Sequence, residues 1–244
     1  MTILNKEIVY VAELDADVDD VVAAHYLHNE GVLKCVVCDP YPRTKDGLKR
    51  KERLENLGVK VLKKMPPVAK YVFVGGALTI IADYVRTHHI ELLVMNGGFV
   101  GSNISLFELD KFKGKETVRT FNFNCDVKAT DYILKTGKDR ISQIILVGKN
   151  VCHDVRNTRI GIWKDEKYRE LFDTYNVKNE KRQHDMLACH EGLAFLNETQ
   201  NYCRYELVKP FNTGLNGTYT QWGSTKNIET PYRELLAAVE FNVK

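Results

Sequence analysis

The chain has 244 residues, 44% of them hydrophobic and 27% charged, with a net charge of +3. That is enough to bury one substantial core, and it excludes a disordered chain or a strongly basic nucleic-acid binder. No stretch approaches the roughly 20 consecutive apolar residues of a membrane span.

The opening segment, "MTILNKEIVYV", lacks the basic region and cleavage site of a secretory signal. The six cysteines, at 35, 38, 125, 152, 189 and 203, fall mostly in apolar segments, the usage of reduced core thiols and a cytoplasmic protein. Strands are expected at 8–14, 33–39, 70–76, 91–98 and 143–149, each a short Val- and Ile-rich run. Helical patterns alternate with them: "DDVVAAHYLHNEG", "DGLKRKERLENLG", "LTIIADYVRTH" and "VKATDYILKTG", three stopping at a glycine. Cys35 and Cys38 form a C-x-x-C, but residues three apart on a strand face opposite ways, which disfavours a shared metal or redox centre. The lysines of 43–64 are interleaved with acids and read as a solvated helix face.

Further on, "QHDMLACHEGLAFLNE" (183–198) has helical periodicity, and 203–223 has β-rich halves around "NTGLNG", the pattern of a hairpin. "PYRELLAAVEFN" reads as a closing helix started by Pro231. The fold class expected is therefore α/β: one domain over 1–244, with a mostly parallel central sheet, helices on both faces, and a C-terminal β-hairpin and helix. Ligands of such sheets bind beyond the carboxyl ends of the strands.

The chemistry is concentrated after the first strand, where Asp15, Asp17, Asp19 and Asp20 fall within six residues. Carboxylates so close raise one another's pKa or require a cation. An EF-hand loop fails, because its sixth position is Asp20 rather than Gly and its twelfth is Tyr26 rather than Glu. An aspartyl phosphatase of the haloacid-dehalogenase type would use Asp15 as nucleophile and Asp17 as acid. Helix capping by Asp15 or Asp17 accounts for one or two acids, not four.

The acidic segment also resembles the N-terminal aspartate cluster of the inosine-uridine preferring nucleoside hydrolases, and four further stretches resemble that family in order. They are "VGGALTIIADYV", "LLVMNGGFVGSN", "TFNFNCDVKATDYIL" and "HDMLACHEGLAFL". The resemblance implies Ca²⁺-dependent hydrolysis of an N-ribosyl bond, a metal-bound water attacking C1′ with an Asp as general base. Carried over, Asp15, Asp17, Asp20, Asp185 and the Gly75 carbonyl belong to the metal site, with Asp17 also the base. Asp19, Asp39 and Asn122 are substrate contacts, and His184 is a candidate acid for the leaving base. The implied partner is a small nucleoside-like molecule, with no nucleic acid and no membrane, in a possible homo-oligomer. A trimmed relative that binds such a ligand without turnover is the alternative of a different class.

This chain departs from the family pattern in places. Only Val18 separates Asp17 from Asp19, Asp39 stands where the family has Asn, and Thr120 stands where it has the Glu that meets the 5′-hydroxyl. The last change suggests a substrate with a modified 5′ end. The interval 155–182 is also shorter than the family's base-covering helical region.

Overall fold

The computed structural model describes residues 6–16, 18–99, 109–115, 118–135, 139–154, 173, 175, 182–199, 201–212, 220–224 and 233–242. Among them, nine strands form one sheet in the order β3-β2-β1-β4-β5-β6-β9-β7-β8. The parallel part comprises β1 (Ile8–Ala12), β2 (Leu33–Cys38), β3 (Val61–Leu62), β4 (Tyr71–Val74), β5 (Ile90–Asn96), β6 (Ile141–Val147) and β9 (Leu235–Phe241). β7 (Cys203–Asn212) runs antiparallel to both β9 and β8 (Thr220–Ser224).

These runs become interior strands because both of their faces are apolar. Ile8, Tyr10 and Ala12 enter one core, and Val9 and Val11 enter the other, as the two-residue period of a strand dictates. The same alternation sends Cys38 and Cys35 to opposite sides of the sheet, and all six cysteines are free. On the first face lie α1 (Asp19–Asn29) and the long α7 (His184–Leu196), and on the second lie α3 (Thr79–Tyr84) and α5 (Val127–Lys135). α2 (Lys45–Asn56) buries only Gly47 and Leu54, so its lysine-rich face is solvated. The short helices α4 (Phe121–Cys125) and α6 (Lys149–Cys152) follow Thr120 and Gly148. No described helix is long and apolar enough to cross a membrane.

The closing helix expected from "PYRELLAAVEFN" is instead β9. Its seven residues are all buried except the half-buried Leu236, and it pairs with β6 on one side and β7 on the other. Leu, Ala and Glu favour a helix intrinsically, but here two unsatisfied strand edges and an apolar run override the propensity. The hairpin strands β7 and β8 form as expected, while 213–219, with most of "NTGLNG", lies outside the described residues.

The chain runs from β1 outward to β3, then returns to place β4 on the other side of β1. That reversal opens a crevice at the carboxyl ends of β1 and β4, where doubly wound sheets bind ligands.

Candidate functional site

A cavity of about 340 Å³ occupies this crevice. Its walls come from the turn after β1 (Glu13, Ala16), the start of α1 (Asp19, Asp20), the ends of β4 and β5 (Gly75, Asn96, Gly97), the start of α4 (Thr120, Phe121, Asn122), α6 and its end (Lys149, Cys152, His153) and the start of α7 (His184, Asp185).

The acids at its floor belong to two helices. Asp19 and Asp20 form the first turn of α1, yet they are 5% and 4% exposed, and the N-cap position, Val18, makes no side-chain cap bond. These carboxylates therefore point into the protein rather than capping at its surface. Asp185, 5% exposed, comes from the first turn of α7. Gly75 shows how closely the two groups approach. A Cβ there would lie 2.5 Å from Asp20 Oδ1, 3.0 Å from Asp185 Cγ and 2.2 Å from the Tyr10 hydroxyl. Any side chain at position 75 would displace these groups, so glycine is required by contact.

Polar neighbours hold the acids in place. The Tyr10 hydroxyl donates to Asp20 Oδ1 at 2.9 Å, and Asn96 Nδ2 donates to Asp185 Oδ1 at 2.5 Å. Asn122 Nδ2 donates to the carbonyls of Gly75 (2.6 Å) and Asn96 (2.9 Å), tying α4 to the ends of β4 and β5. The negative field is felt locally. Burial first, then Asp20 and Asp185, push the Tyr10 hydroxyl well above its ordinary pKa, and burial with Asp185 and Asp19 does the same to the Cys152 thiol.

Of the residues expected from the sequence, Asp19, Asp20, Gly75, Asn122, His184 and Asp185 line this one cavity. Asp17 lies outside the described residues. Two expectations need correction. Asp15 turns away from the cavity: its carboxylate accepts from the Arg43 and Thr44 amides and the Thr44 hydroxyl, at 2.8–3.2 Å. Partial burial raises its pKa, but those donors outweigh that effect and leave it lowered. It is a fastener for the loop leading into α2 rather than a metal ligand, and it is not placed to act as a phosphatase nucleophile in the cavity. Asp39 likewise is not among the cavity's lining residues; it accepts from the Ile80 amide at 3.0 Å, in the first turn of α3. In both cases a free backbone N–H competed for the carboxylate and won.

Sequence reasoning missed Tyr10 and Asn96 and assigned no cavity role to Lys149 or His153. Asn96 carried a signal, a polar residue ending the apolar run "ELLVMN" at a strand's carboxyl end. Tyr10 carried none, since it sits in the middle of an apolar strand. His153 packs against His184 with ring centroids 4.9 Å apart. Burial, then His184 and the nearby cations, lower its pKa to about 3, so its imidazole is neutral near pH 7.

Asp19, Asp20, Asp185 and the Gly75 carbonyl make a set of oxygen donors, the kind hard divalent cations take. Among the described residues, no three His, Cys, Asp or Glu side chains are disposed so as to hold an ion by themselves.

No protein-family model matches the chain. An uncharacterized protein of Aquifex aeolicus (strain VF5) is 29% identical over 163 residues, 63% of this chain and 54% of its own length. The chain thus spans about half the length of that curated relative. Two solved structures resemble it along almost its whole length. One is a plant nucleoside hydrolase, PpNRh1, at TM-score 0.60 and 15% identity, covering 98% of this chain and 95% of the other. The other is an inosine-uridine preferring nucleoside hydrolase from Bacillus anthracis, at TM-score 0.60 and 16% identity, covering 97% and 95%. The chain has the α/β fold of the nucleoside hydrolases.

Proposed function

We propose that this protein hydrolyses the N-glycosidic bond of a ribonucleoside or a related N-ribosyl compound, with Ca²⁺ as cofactor. The observation that carries the reading is the meeting of Asp20 and Asp185 against Gly75, two buried carboxylates 165 positions apart in the chain, at the sheet's topological switch point. Asp17, Asp20, Asp185 and the Gly75 carbonyl would hold the ion. When bound, it offsets the repulsion among the acids, lowers the pKa of a water and orients the ribose hydroxyls.

The chain's own groups do the rest. Asp17 accepts the proton of the attacking water. Asp19 accepts from a ribose hydroxyl, and so does Asn122 Oδ1, since its Nδ2 is committed to Gly75 and Asn96. The buried carboxylates favour the positive charge that develops at C1′ as the bond to the base breaks. His184 donates a proton to the departing base. Phe121, 62% exposed at the cavity wall, is a free aromatic surface for the ligand.

Purified protein with Ca²⁺ should release reducing sugar and free base from members of a nucleoside panel. Asp17→Asn should lower that release by ~10²-fold or more, the scale of a lost general base, and a chelator should abolish it. Ligand-induced thermal stabilisation without release from any nucleoside would instead assign the fold to binding alone. Phosphate release from a generic ester would point to phosphatase chemistry.

A further inference from the structure

Besides its acids the cavity carries a cation that the reading above does not use. Lys149, the first residue of α6, lines the wall half-buried. Among the described residues its ammonium has one hydrogen-bond neighbour, His153 Nε2, at 3.4 Å. Burial and then Lys111 lower its pKa, and among the described residues no carboxylate pairs with it. A lysine gains nothing from such a place unless an anion joins it.

A second group is unsatisfied nearby. Thr120 lines the same cavity and is 1% exposed, and its buried hydroxyl has no hydrogen-bond partner among the described residues. Contacts at the end of β5 bring the two elements to one place. A Cβ at Gly97 would strike the Phe123 ring of α4 at 2.6 Å, and one at Gly148 would strike the Gly97 carbonyl at 2.7 Å. α4 and the β6–α6 turn therefore flank a single glycine.

We infer that this part of the cavity binds the phosphate of a phosphorylated ribosyl ligand, Lys149 donating to its oxygens together with His153 and the Thr120 hydroxyl. The inference rests on the N-ribosyl reading of the acids, and it narrows the substrate class to ribosyl 5′-phosphates such as nucleoside 5′-monophosphates. The ammonium offsets part of the dianion's charge, the neutral imidazole has an N–H to donate, and the hydroxyl supplies a donor that no described residue uses.

Calorimetric titration with ribose 5-phosphate and with ribose, in the presence of Ca²⁺, tests the assignment. Ribose 5-phosphate should bind ~10-fold or more tightly than ribose, the factor of a charge-assisted contact. Lys149→Met should collapse that ratio toward one, and Lys149→Arg should retain most of it. Thr120→Val should reduce affinity for the phosphate compound without lowering the melting temperature, because the hydroxyl has no hydrogen-bond partner among the described residues. Equal affinities in the unsubstituted protein, or a ratio that survives Lys149→Met, overturn the inference. Base released from nucleosides but no faster from their 5′-monophosphates also overturns it and leaves the hydrolase reading standing. A persistent phosphate preference without release of any base supports it and counts against hydrolysis alone.

Discussion

Asp15 and Asp185 are the same residue type with opposite fates, and the difference lies in which donors each one meets. Asp15 faces the amides of Arg43 and Thr44 and fastens the entry to α2, and a Cβ at Gly47 would collide with its Oδ1 at 1.9 Å. Asp15→Ala should therefore cost about 1–2 kcal/mol of stability, the loss of a capping acid, yet leave Ca²⁺-induced thermal stabilisation in place. Asp185→Asn should do the reverse, abolishing the Ca²⁺ shift in the same melting experiment. His190 makes a separate prediction about pH. It stacks on Tyr202, meets the Tyr26 hydroxyl at 3.1 Å, and burial lowers its pKa to about 4. Between the ordinary value of 6.5 and about 4, the unfolded chain binds the proton and the folded one does not. Stability should thus be full above this window and fall as pH drops through it. Urea unfolding midpoints across that range would show the slope, and His190→Phe should reduce it, with His153 supplying part of what remains.

α7 shows why a helix without a clean amphipathic stripe can still be specified. Nine of its thirteen residues are buried, because it packs on β4, β5 and β6 beside α1 and carries Asp185 to the cavity at its start. Gly192 permits the close approach: a Cβ there would meet the Phe73 ring at 2.7 Å and Val94 at 2.8 Å. Alanine is the better helix former, but Gly192→Ala should destabilise by about 1–3 kcal/mol through overpacking, measured as a fall in the denaturation midpoint. Farther along, buried Glu191 accepts from the amides of Tyr202 and Cys203 and from the Tyr205 hydroxyl, locking α7 to β7. The helix was legible from "QHDMLACHEGLAFLNE"; its anchorage was not, since Glu191 meets partners 11 to 14 residues away in a strand.

At the scale of the molecule, β9 joins the parallel sheet to the antiparallel pair, lying between β6 and β7. Removing 235–242 would strip the edges of both neighbours and expose the apolar faces that Leu235, Ala237 and Val239 cover. The truncated chain should lose its cooperative thermal transition and aggregate, as read by calorimetry and light scattering. The cavity depends on the same architecture, since its walls come from the ends of β4 and β5 and from helices on both faces.

The five central strands and the helices between them were readable in the residues, because periodicity is a property of neighbours in the chain. Which acids serve the cavity was not readable. Asp15 and Asp39 are engaged by amides before α2 and in α3, while Tyr10 and Asn96 join the site from strands and Lys149 from the start of α6. The C-terminal segment likewise became a strand rather than a helix because two sheet edges awaited it. Long-range hydrogen-bond satisfaction decided these points, and it exists only once distant segments have met.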